Sequence, residues 1–443
     1  MEPNNPVSNY KFFLRACRNE KANEGIIRCL LEYFPAATGA TNNGGCTPLH
    51  CACWNKNITL KIVQLLIDAA PDSVRTVDNY GRMPIHRLCR DNDVDEIAAM
   101  EILKLLLEKC PESVRHADNL GELPIHKACG SRSPEFCRVL IEKYPGSERI
   151  ADNYGKMPLH FACWDHTVAT VEYLYKLHPD AIYHESTDGR YPIHSGIDAL
   201  SNSKNRAAAV HVVKFLLDCD PNVMLQKFQI VDGQRCSLLH YACLQEYDDS
   251  NIEAGIQVMK VIYDAHPEAI EDNEMTSNIH DYHQQVQSFI NSQLVYSRQA
   301  RDHGLMTTLN ENGQLPLHTV LQNNVTLGSI KLLVKGNPPA VQSPDNNGAL
   351  PLHVACQYHE CTSVFQYMID LDATTLNAVD RAGDTALHYA CRGAKYETIS
   401  LLLDDKYAAA SASKRSAHEK LPFDLLLERD GVDDREVLAP FGF

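Results

Sequence analysis

Histidine and cysteine recur three residues apart along this sequence, and both side chains can bind zinc or take part in thiol chemistry. A spacing of three places the two side chains on one face of a helix. The pairs lie at positions 50 and 53, 86 and 89, 126 and 129, 160 and 163, 240 and 243, 353 and 356, and 388 and 391. A structural zinc site needs four ligands that converge on one point, so these pairs form a metal site only if the fold brings them together.

Each pair belongs to a longer phrase that recurs through the chain. Two early copies read Gly45-Cys-Thr-Pro-Leu-His50 and Gly81-Arg-Met-Pro-Ile-His86. Later copies have their histidine at positions 126, 160, 194, 240, 318, 353 and 388, and a last copy has Asp424 in the histidine slot. Most of these positions are 34 to 36 residues from the next, which predicts an array of similar units.

The residue types predict that each unit is a turn followed by two helices. Asp78, Asn79 and Gly81 combine side chains that bond the local backbone with a glycine that tolerates positive φ. Pro84 suits the first turn of a helix, where a backbone N–H has no partner. Residues 62–69 have the spacing of a second, amphipathic helix. One unit cannot bury its apolar face alone, so we expect stacked units with a continuous core.

The phrase Thr-Pro-Leu-His-x-Ala at a period near 33 residues is typical of ankyrin repeats, and the sequence resembles an ankyrin-repeat protein over nearly all its length. Two features depart from the family pattern: cysteine replaces the second alanine of Ala-Ala, and many second helices end in proline rather than glycine. The resemblance implies an all-α ankyrin-repeat solenoid of about ten repeats with turn or hairpin tips. It also implies that each motif histidine bonds the backbone of the neighbouring turn, so we expect a ladder of pairs and no metal or cofactor.

The period and its interruptions predict five segments. They are capping helices over 1–44, a first repeat block over 45–270, a helical insertion over 271–308, a second block over 309–415, and a capping repeat with a tail over 416–443. Apolar residues of the insertion predict one amphipathic helix near 279–302. Its apolar stripe either packs on the repeats or forms a docking or dimerisation surface.

Charge and composition exclude several classes of protein. Lys and Arg number 41 against 57 Asp and Glu, and the net charge of −16 has the wrong sign for a general nucleic-acid binder. We expect no membrane partner, no signal peptide and a cytoplasmic location, with the nucleus as the alternative, because no apolar run approaches the ~18 residues of a spanning helix. The 16 cysteines then predict free thiols in a reducing compartment.

Enzyme signatures are missing from the sequence, and we expect no catalytic activity. There is no Cys-x-x-Cys, His-Glu-x-x-His, phosphate-binding glycine loop or Gly-x-Ser-x-Gly. His280 and His283 lie three apart in the insertion, but no further ligand is marked out, which favours a solvated helix face.

The family resemblance implies that a partner binds at the turn tips and on the concave face made by the first helices. It selects Tyr80, Arg82, Leu120, Glu122, Tyr154, Lys156 and Arg190 at the tips, and Trp54, Arg90, Trp164 and Asp165 after the first-helix motif. Trp, Tyr and Arg are enriched in binding hot spots. Alternatively, each tryptophan covers the groove between neighbouring first helices and stabilises the stack.

Basic residues gather in the first half of the array and form either a positive strip for an acidic peptide or a mixed soluble surface. They are Arg82, Arg90, Lys127, Arg132, Lys156 and Arg190.

The function that we expect is a non-catalytic protein-interaction scaffold or adaptor, because a rigid array loses little entropy when it binds a partner protein. Two alternatives remain. One is the substrate-recognition arm of a larger complex such as a ubiquitin ligase. The other is a metal-binding protein or a thiol redox sensor that uses the cysteine ladder.

Overall fold

The computed structural model describes residues 6–90, 93–165, 168–201, 206–225, 228–229, 235–323, 325–393, 396–403 and 411–428. It divides into two compact units, Met1–Val258 and Met259–Phe443. Each unit is a stack of helix pairs, which confirms the predicted all-α repeat class. Within the described residues, no helix is both long enough and apolar enough to cross a membrane.

The first helix of most repeats begins at the motif proline, whose missing N–H fits the first turn of a helix. In the first unit these helices are α3 (Pro48–Ala52), α5 (Pro84–Arg90), α7 (Pro124–Ser131), α9 (Pro158–Asp165), α11 (Pro192–Asp198) and α13 (Leu238–Cys243). In the second unit they are α18 (Pro316–Gln322), α20 (Pro351–Tyr358), α22 (Ala386–Gly393) and α24 (Pro422–Leu427).

In the described part of the chain, a second helix follows each first helix except α24 and buries one apolar face against its neighbours. These helices are α4 (Leu60–Ala69), α6 (Glu96–Lys109), α8 (Pro134–Lys143), α10 (Val168–Leu177), α12 (Arg206–Cys219), α14 (Ile252–Ala265), α19 (Leu327–Gly336), α21 (Thr362–Leu371) and α23 (Tyr396–Leu402). A short 3₁₀ turn follows most of them and opens on a proline, as at Pro71, Pro111 and Pro179. The departure from the family's usual glycine is therefore a change in how the helix ends, since proline cannot continue it.

A helix pair precedes the first complete repeat. It consists of α1 (Pro6–Arg18) and α2 (Glu24–Tyr33), which pack on α3 and α4 respectively. Before α13, where the motif is degraded, β1 (Phe228–Gln229) and β2 (Arg235–Cys236) form a short antiparallel pair with Phe228 opposite Cys236.

The insertion forms α15 (Asn273–Ser277), α16 (Gln284–Arg301) and α17 (His303–Thr307). The helix predicted near 279–302 thus begins later than expected, because the 3₁₀ turn Ile279–Asp281 precedes it and the His283 ring caps it by accepting from the N–H of Gln285. The apolar stripe of α16 packs against α19, as the first of the two interpretations predicts.

Buried polar side chains fix α16 on α19. The side-chain oxygen of Gln293 on α16 accepts from the Ser329 hydroxyl at 2.7 Å and from the Thr326 hydroxyl at 2.9 Å. Because buried polar groups are costly when unpaired, these bonds specify one register of α16 along α19.

Candidate functional site

The motif histidines are buried, and most of them join a first helix to the next repeat. Nδ1 of His126 accepts from the backbone N–H of Leu123 at 3.0 Å, and Nε2 donates to the Ile150 carbonyl at 3.0 Å. The first bond caps α7, and the second ties it to the chain that enters the next turn. The same two bonds are made by His50, His86, His160, His353 and His388. The structural role predicted for these histidines is confirmed.

Asp424, which replaces histidine in the last copy, keeps the capping bond. Its Oδ2 accepts from the N–H of Leu421 at 2.7 Å and closes the first turn of α24. The prediction that this segment is a diverged repeat is therefore supported by the same local geometry that defines the others.

Burial keeps the motif imidazoles neutral and the motif thiols protonated. Desolvation lowers the pKa of His86 to about 3 and of His126 to about 4, because a buried imidazolium would lose its hydration. Desolvation also raises the pKa of the motif thiol of Cys53 to about 12, and that of the nearby Cys51 to about 11, far from the thiolate needed for redox chemistry. Among the described residues, no three His, Cys, Asp or Glu side chains are grouped to hold a metal ion.

The turn tips are built from the predicted Asx residues and glycines. Oδ1 of Asp78 accepts from the N–H of Tyr80 at 2.9 Å and from the N–H of Arg82 at 3.0 Å. Gly81 has φ of +74°, and a Cβ there would meet the backbone of Asn119. Only glycine therefore fits this place without strain or collision.

Backbone hydrogen bonds link each tip to the next. The N–H of Asn119 donates to the Tyr80 carbonyl, that of Asn153 to Leu120, and that of Thr187 to Tyr154, each at 2.9 Å. The asparagine side chains add a second set of hydrogen bonds between the tips, since Nδ2 of Asn119 donates to the Asn79 carbonyl at 3.2 Å. Three successive tips are thus fixed relative to one another.

Three large side chains project from these linked tips. The exposed fractions are 59% for Tyr80, 37% for Leu120 and 53% for Tyr154. We call these three residues the tip row. The equivalent positions on either side, Gly44 and Asp188, carry no apolar side chain, so the row of apolar tip residues ends at these two positions.

The charged candidates beside the tip row are engaged within the protein. Nε of Arg82 lies 3.1 Å from Oδ2 of the buried Asp118, and Lys127 pairs with both Asp118 and Glu122. Glu122 is only 6% exposed. The structure corrects the expectation that Glu122 is open to a partner, because its carboxylate is buried and neutralises a half-buried lysine.

The predicted positive strip is largely neutralised by the repeats themselves. Nη1 of Arg190 lies 2.8 Å from Asp198, and its Nε lies 3.2 Å from Asp188. Arg132 is buried and donates to the Leu88 carbonyl at 2.8 Å. These contacts favour the mixed-surface interpretation over a binding strip for an acidic peptide.

Trp54 lies between two arginines from neighbouring repeats. The guanidinium of Arg18 on α1 is 4.4 Å from the centre of the indole, and that of Arg87 on α5 is 4.9 Å away. The ring nevertheless remains 46% exposed. No local sequence pattern signals this sandwich, because the two arginines lie in different repeats and only the stack brings them to one ring.

The remaining candidates lie at helix ends or beside the tips. Arg90 is exposed at the end of α5, and Lys156 is half-buried beside Tyr154. Trp164 is 41% exposed near the end of α9, and its neighbour Asp165 directs a carboxylate oxygen toward Gly130 of the preceding repeat. The structure therefore brings Tyr80, Leu120 and Tyr154 into one row on tips that are hydrogen-bonded to one another.

Each repeat consists of a turn, a first helix that begins at a proline and a longer second helix, and a histidine of the first helix bonds the next repeat. This arrangement defines a class of stacked helix–turn–helix proteins. Residues 94–187 and 317–415 match the model for ankyrin repeats in three copies, and residues 44–78 match the model for a single ankyrin repeat. These matches cover just over half of the chain. The chain therefore belongs to the ankyrin-repeat family. Ankyrin repeats are generally protein–protein interaction modules. No curated protein matches the chain.

Proposed function

We propose that this chain is a non-catalytic adaptor that binds a partner protein through the tip row. The observation that carries the proposal is the exposure of Tyr80, Leu120 and Tyr154 on three tips that are hydrogen-bonded to one another. Scattered exposed apolar residues are ordinary on protein surfaces, whereas a fixed row of them is typical of a binding surface. Tyrosine adds large contact area with few rotatable bonds.

The backbone of the tips indicates how the partner binds. The Tyr80 N–H is satisfied by Asp78, and the Tyr80 carbonyl is satisfied by Asn119. The Gly81 carbonyl accepts from the His116 ring at 2.9 Å. With these groups already paired, recognition depends on the side chains, and the partner presents an apolar element rather than an added β-strand.

The test places a photo-reactive phenylalanine analogue at Tyr80 or Tyr154 of the full chain in cells. Asn347 is the matched control, because it is an exposed tip residue whose carbonyl accepts from the N–H of Arg381 at 2.9 Å. We expect one protein to be cross-linked from positions 80 and 154 and not from position 347. Equal cross-linking from all three positions, or none from the tip row, would refute the proposal.

A variant series gives the energetic counterpart. The triple variant Tyr80→Ala, Leu120→Ala and Tyr154→Ala keeps every backbone hydrogen bond between neighbouring tips. We therefore expect an unchanged circular dichroism spectrum and loss of the cross-linked partner in co-precipitation. Asn347→Ala should retain it. The identity of the partner then distinguishes a free-standing adaptor from the recognition arm of a ligase complex.

A further inference from the structure

Two helix faces that carry arginines meet at Trp54. The guanidinium of Arg18 on α1 lies 4.4 Å from the centre of the Trp54 indole, and that of Arg87 on α5 lies 4.9 Å from it. Residues three apart share one face of a helix, so Arg15 lies on the same face of α1 as Arg18. Arg90 likewise lies on the same face of α5 as Arg87. The indole between these faces is 46% exposed.

Three of the four arginines carry charge that the protein leaves unpaired. Arg87 is buried, and its Nη2 lies 2.5 Å from Oδ2 of Asp78, so this charge is neutralised within the protein. The other three arginines are exposed, and in the described part of the chain no ion pair involves any of them. We call these three residues and the aromatic ring the indole surface; its members are Arg15, Arg18, Trp54 and Arg90.

The acidic side chains beside the indole surface act on a lysine instead. Among the described residues, Glu20 and Asp93 are the first acidic residues after α1 and α5. A carboxylate oxygen of Glu20 lies 2.7 Å from Nζ of Lys56, and Asp93 also raises the pKa of that lysine. The indole surface thus differs from the predicted positive strip, in which Arg132 and Arg190 are bound within the repeats. It is a basic surface with an aromatic centre on a chain whose net charge is −16.

We propose that the indole surface binds an acidic segment of a partner protein, with an apolar side chain of that segment on the Trp54 ring. A guanidinium that stacks on an aromatic ring keeps its N–H edge, and this edge fits a carboxylate with two parallel hydrogen bonds. Arg18 is stacked in this way. The exposed indole offers a large apolar contact between the flanking cations.

Charge also separates an acidic segment from a nucleic acid. Both ligands would meet the same three cations, but a long polyanion extends beyond them and is repelled by a chain of net charge −16. A short acidic segment ends within the basic surface. The proposal does not depend on the tip row, because the tip row lies on the turns and the indole surface lies on α1, on α5 and at the end of α3.

Trp54 itself reports binding. The chain has two tryptophans, so the full chain with Trp164→Phe keeps Trp54 as its only fluorescent indole. The probe is a blocked peptide with three glutamates on each side of one phenylalanine, titrated to about 1 mM. We expect the emission to move to shorter wavelengths and to saturate, because the bound phenylalanine displaces water from the ring. The same peptide with serine in place of phenylalanine should bind more weakly. Absence of a saturable shift would refute the proposal.

Substitution of the arginines locates the site. Arg18→Gln and Arg90→Gln should each raise the midpoint of the titration about three- to tenfold, since each removes a charged partner of a carboxylate. Arg90 stacks on no ring among the described residues, so its loss does not act through the packing of Trp54. Arg298→Gln is the matched control, because Arg298 is an exposed arginine on α16, and it should leave the midpoint unchanged. A midpoint that neither Arg18→Gln nor Arg90→Gln raises would overturn the assignment.

Two further titrations test the class of ligand. An oligothymidylate with the same number of charges as the peptide should bind more weakly, and tighter binding than that of the peptide would overturn the assignment to a protein segment. The tip-row triple variant should bind the peptide with the midpoint of the parent. Loss of peptide binding in that variant would place the acidic ligand on the tips and would refute a separate indole surface.

Discussion

The guanidinium of Arg87 lies 4.9 Å from the centre of the Trp54 ring while its Nη2 lies 2.5 Å from Oδ2 of the buried Asp78. One arginine therefore joins an exposed indole to the carboxylate that organises a turn tip. Arg18 covers the same ring from the preceding helix pair. Trp54 is consequently part of the structure that connects the α1 and α2 helix pair to the first repeats.

Replacing Trp54 with alanine should lower the free energy of unfolding by about 1–2 kcal/mol, because two cation–π contacts and their packing are lost. Urea unfolding followed by circular dichroism measures the change. Trp164→Ala is the matched control, since it occupies the equivalent place three repeats later and the described residues put no cation over its ring. Equal losses in the two variants would show that the arginine sandwich contributes little.

Replacing Gly81 with alanine should cost about 2–4 kcal/mol, because its φ of +74° is unfavourable for alanine and its Cβ would meet the backbone nitrogen of Asn119 at 2.9 Å. Gly146→Ala provides the comparison. Gly146 has φ of +89°, but a Cβ added there would meet nothing within 4 Å, so this variant loses only the backbone contribution of about 1–2 kcal/mol. The difference between the two urea midpoints measures the contact between adjacent tips, and no difference would mean that the tips separate easily.

The repeat period, the motif prolines and the motif histidines predicted the repeats. Sequence could show them because each proline and histidine makes its contacts within its own repeat or with the next one. Asp424 was recognisable for the same reason, since aspartate can make the capping bond of His126 with a shorter side chain. The site was less predictable. Arg82 and Glu122 looked like surface charges because their neutralising partners, Asp118 and Lys127, depend on which side chains the turn directs inward.

The limits of local patterns are also visible in α16. Apolar spacing predicted this helix but gave no information about its polar contacts with α19, because Gln293 and Ser329 are far apart in sequence and meet only in the folded protein.

Acid should destabilise the array below about pH 6.5. The folded pKa is about 3 for His86 and His194 and about 4 for His126 and His160, against an ordinary value of 6.5. Between these values the unfolded chain binds protons that the folded chain excludes, so stability is complete above pH 6.5 and falls as the pH falls toward 4. Urea midpoints at pH 7.5 and pH 5.0 measure this loss.

His126→Gln is the control for the acid effect. It removes one titrating group and should reduce the dependence on pH below 6.5 by up to about 1.4 kcal/mol per unit. Asp264 acts in the opposite direction, because burial raises its pKa to about 6 and it takes up a proton first in the folded state. A variant whose stability depends on pH as steeply as the parent would exclude His126 as a source of acid sensitivity.

Thiol labelling distinguishes motif cysteines that are buried and structural from cysteines that act as a redox sensor. Of the 16 cysteines, Cys29 and Cys361 are exposed and Cys219 is half-buried, whereas the others are buried. With a thiol reagent at pH 8 we expect two fast reactions, a slower third, and the remainder only after unfolding. Fast labelling of a motif cysteine such as Cys89 in the folded protein would favour the redox alternative.

The backbone hydrogen bonds between successive tips have an evolutionary consequence. At the place occupied by Tyr80, the fold uses only the backbone carbonyl to meet the next turn, and the same place carries Gly44, Leu120, Tyr154 and Asn347 in other repeats. Glycine, aliphatic, aromatic and amide side chains are therefore all compatible with one scaffold. New recognition can arise there by single substitutions that leave folding untouched, so affinity for a partner and stability of the array can change independently.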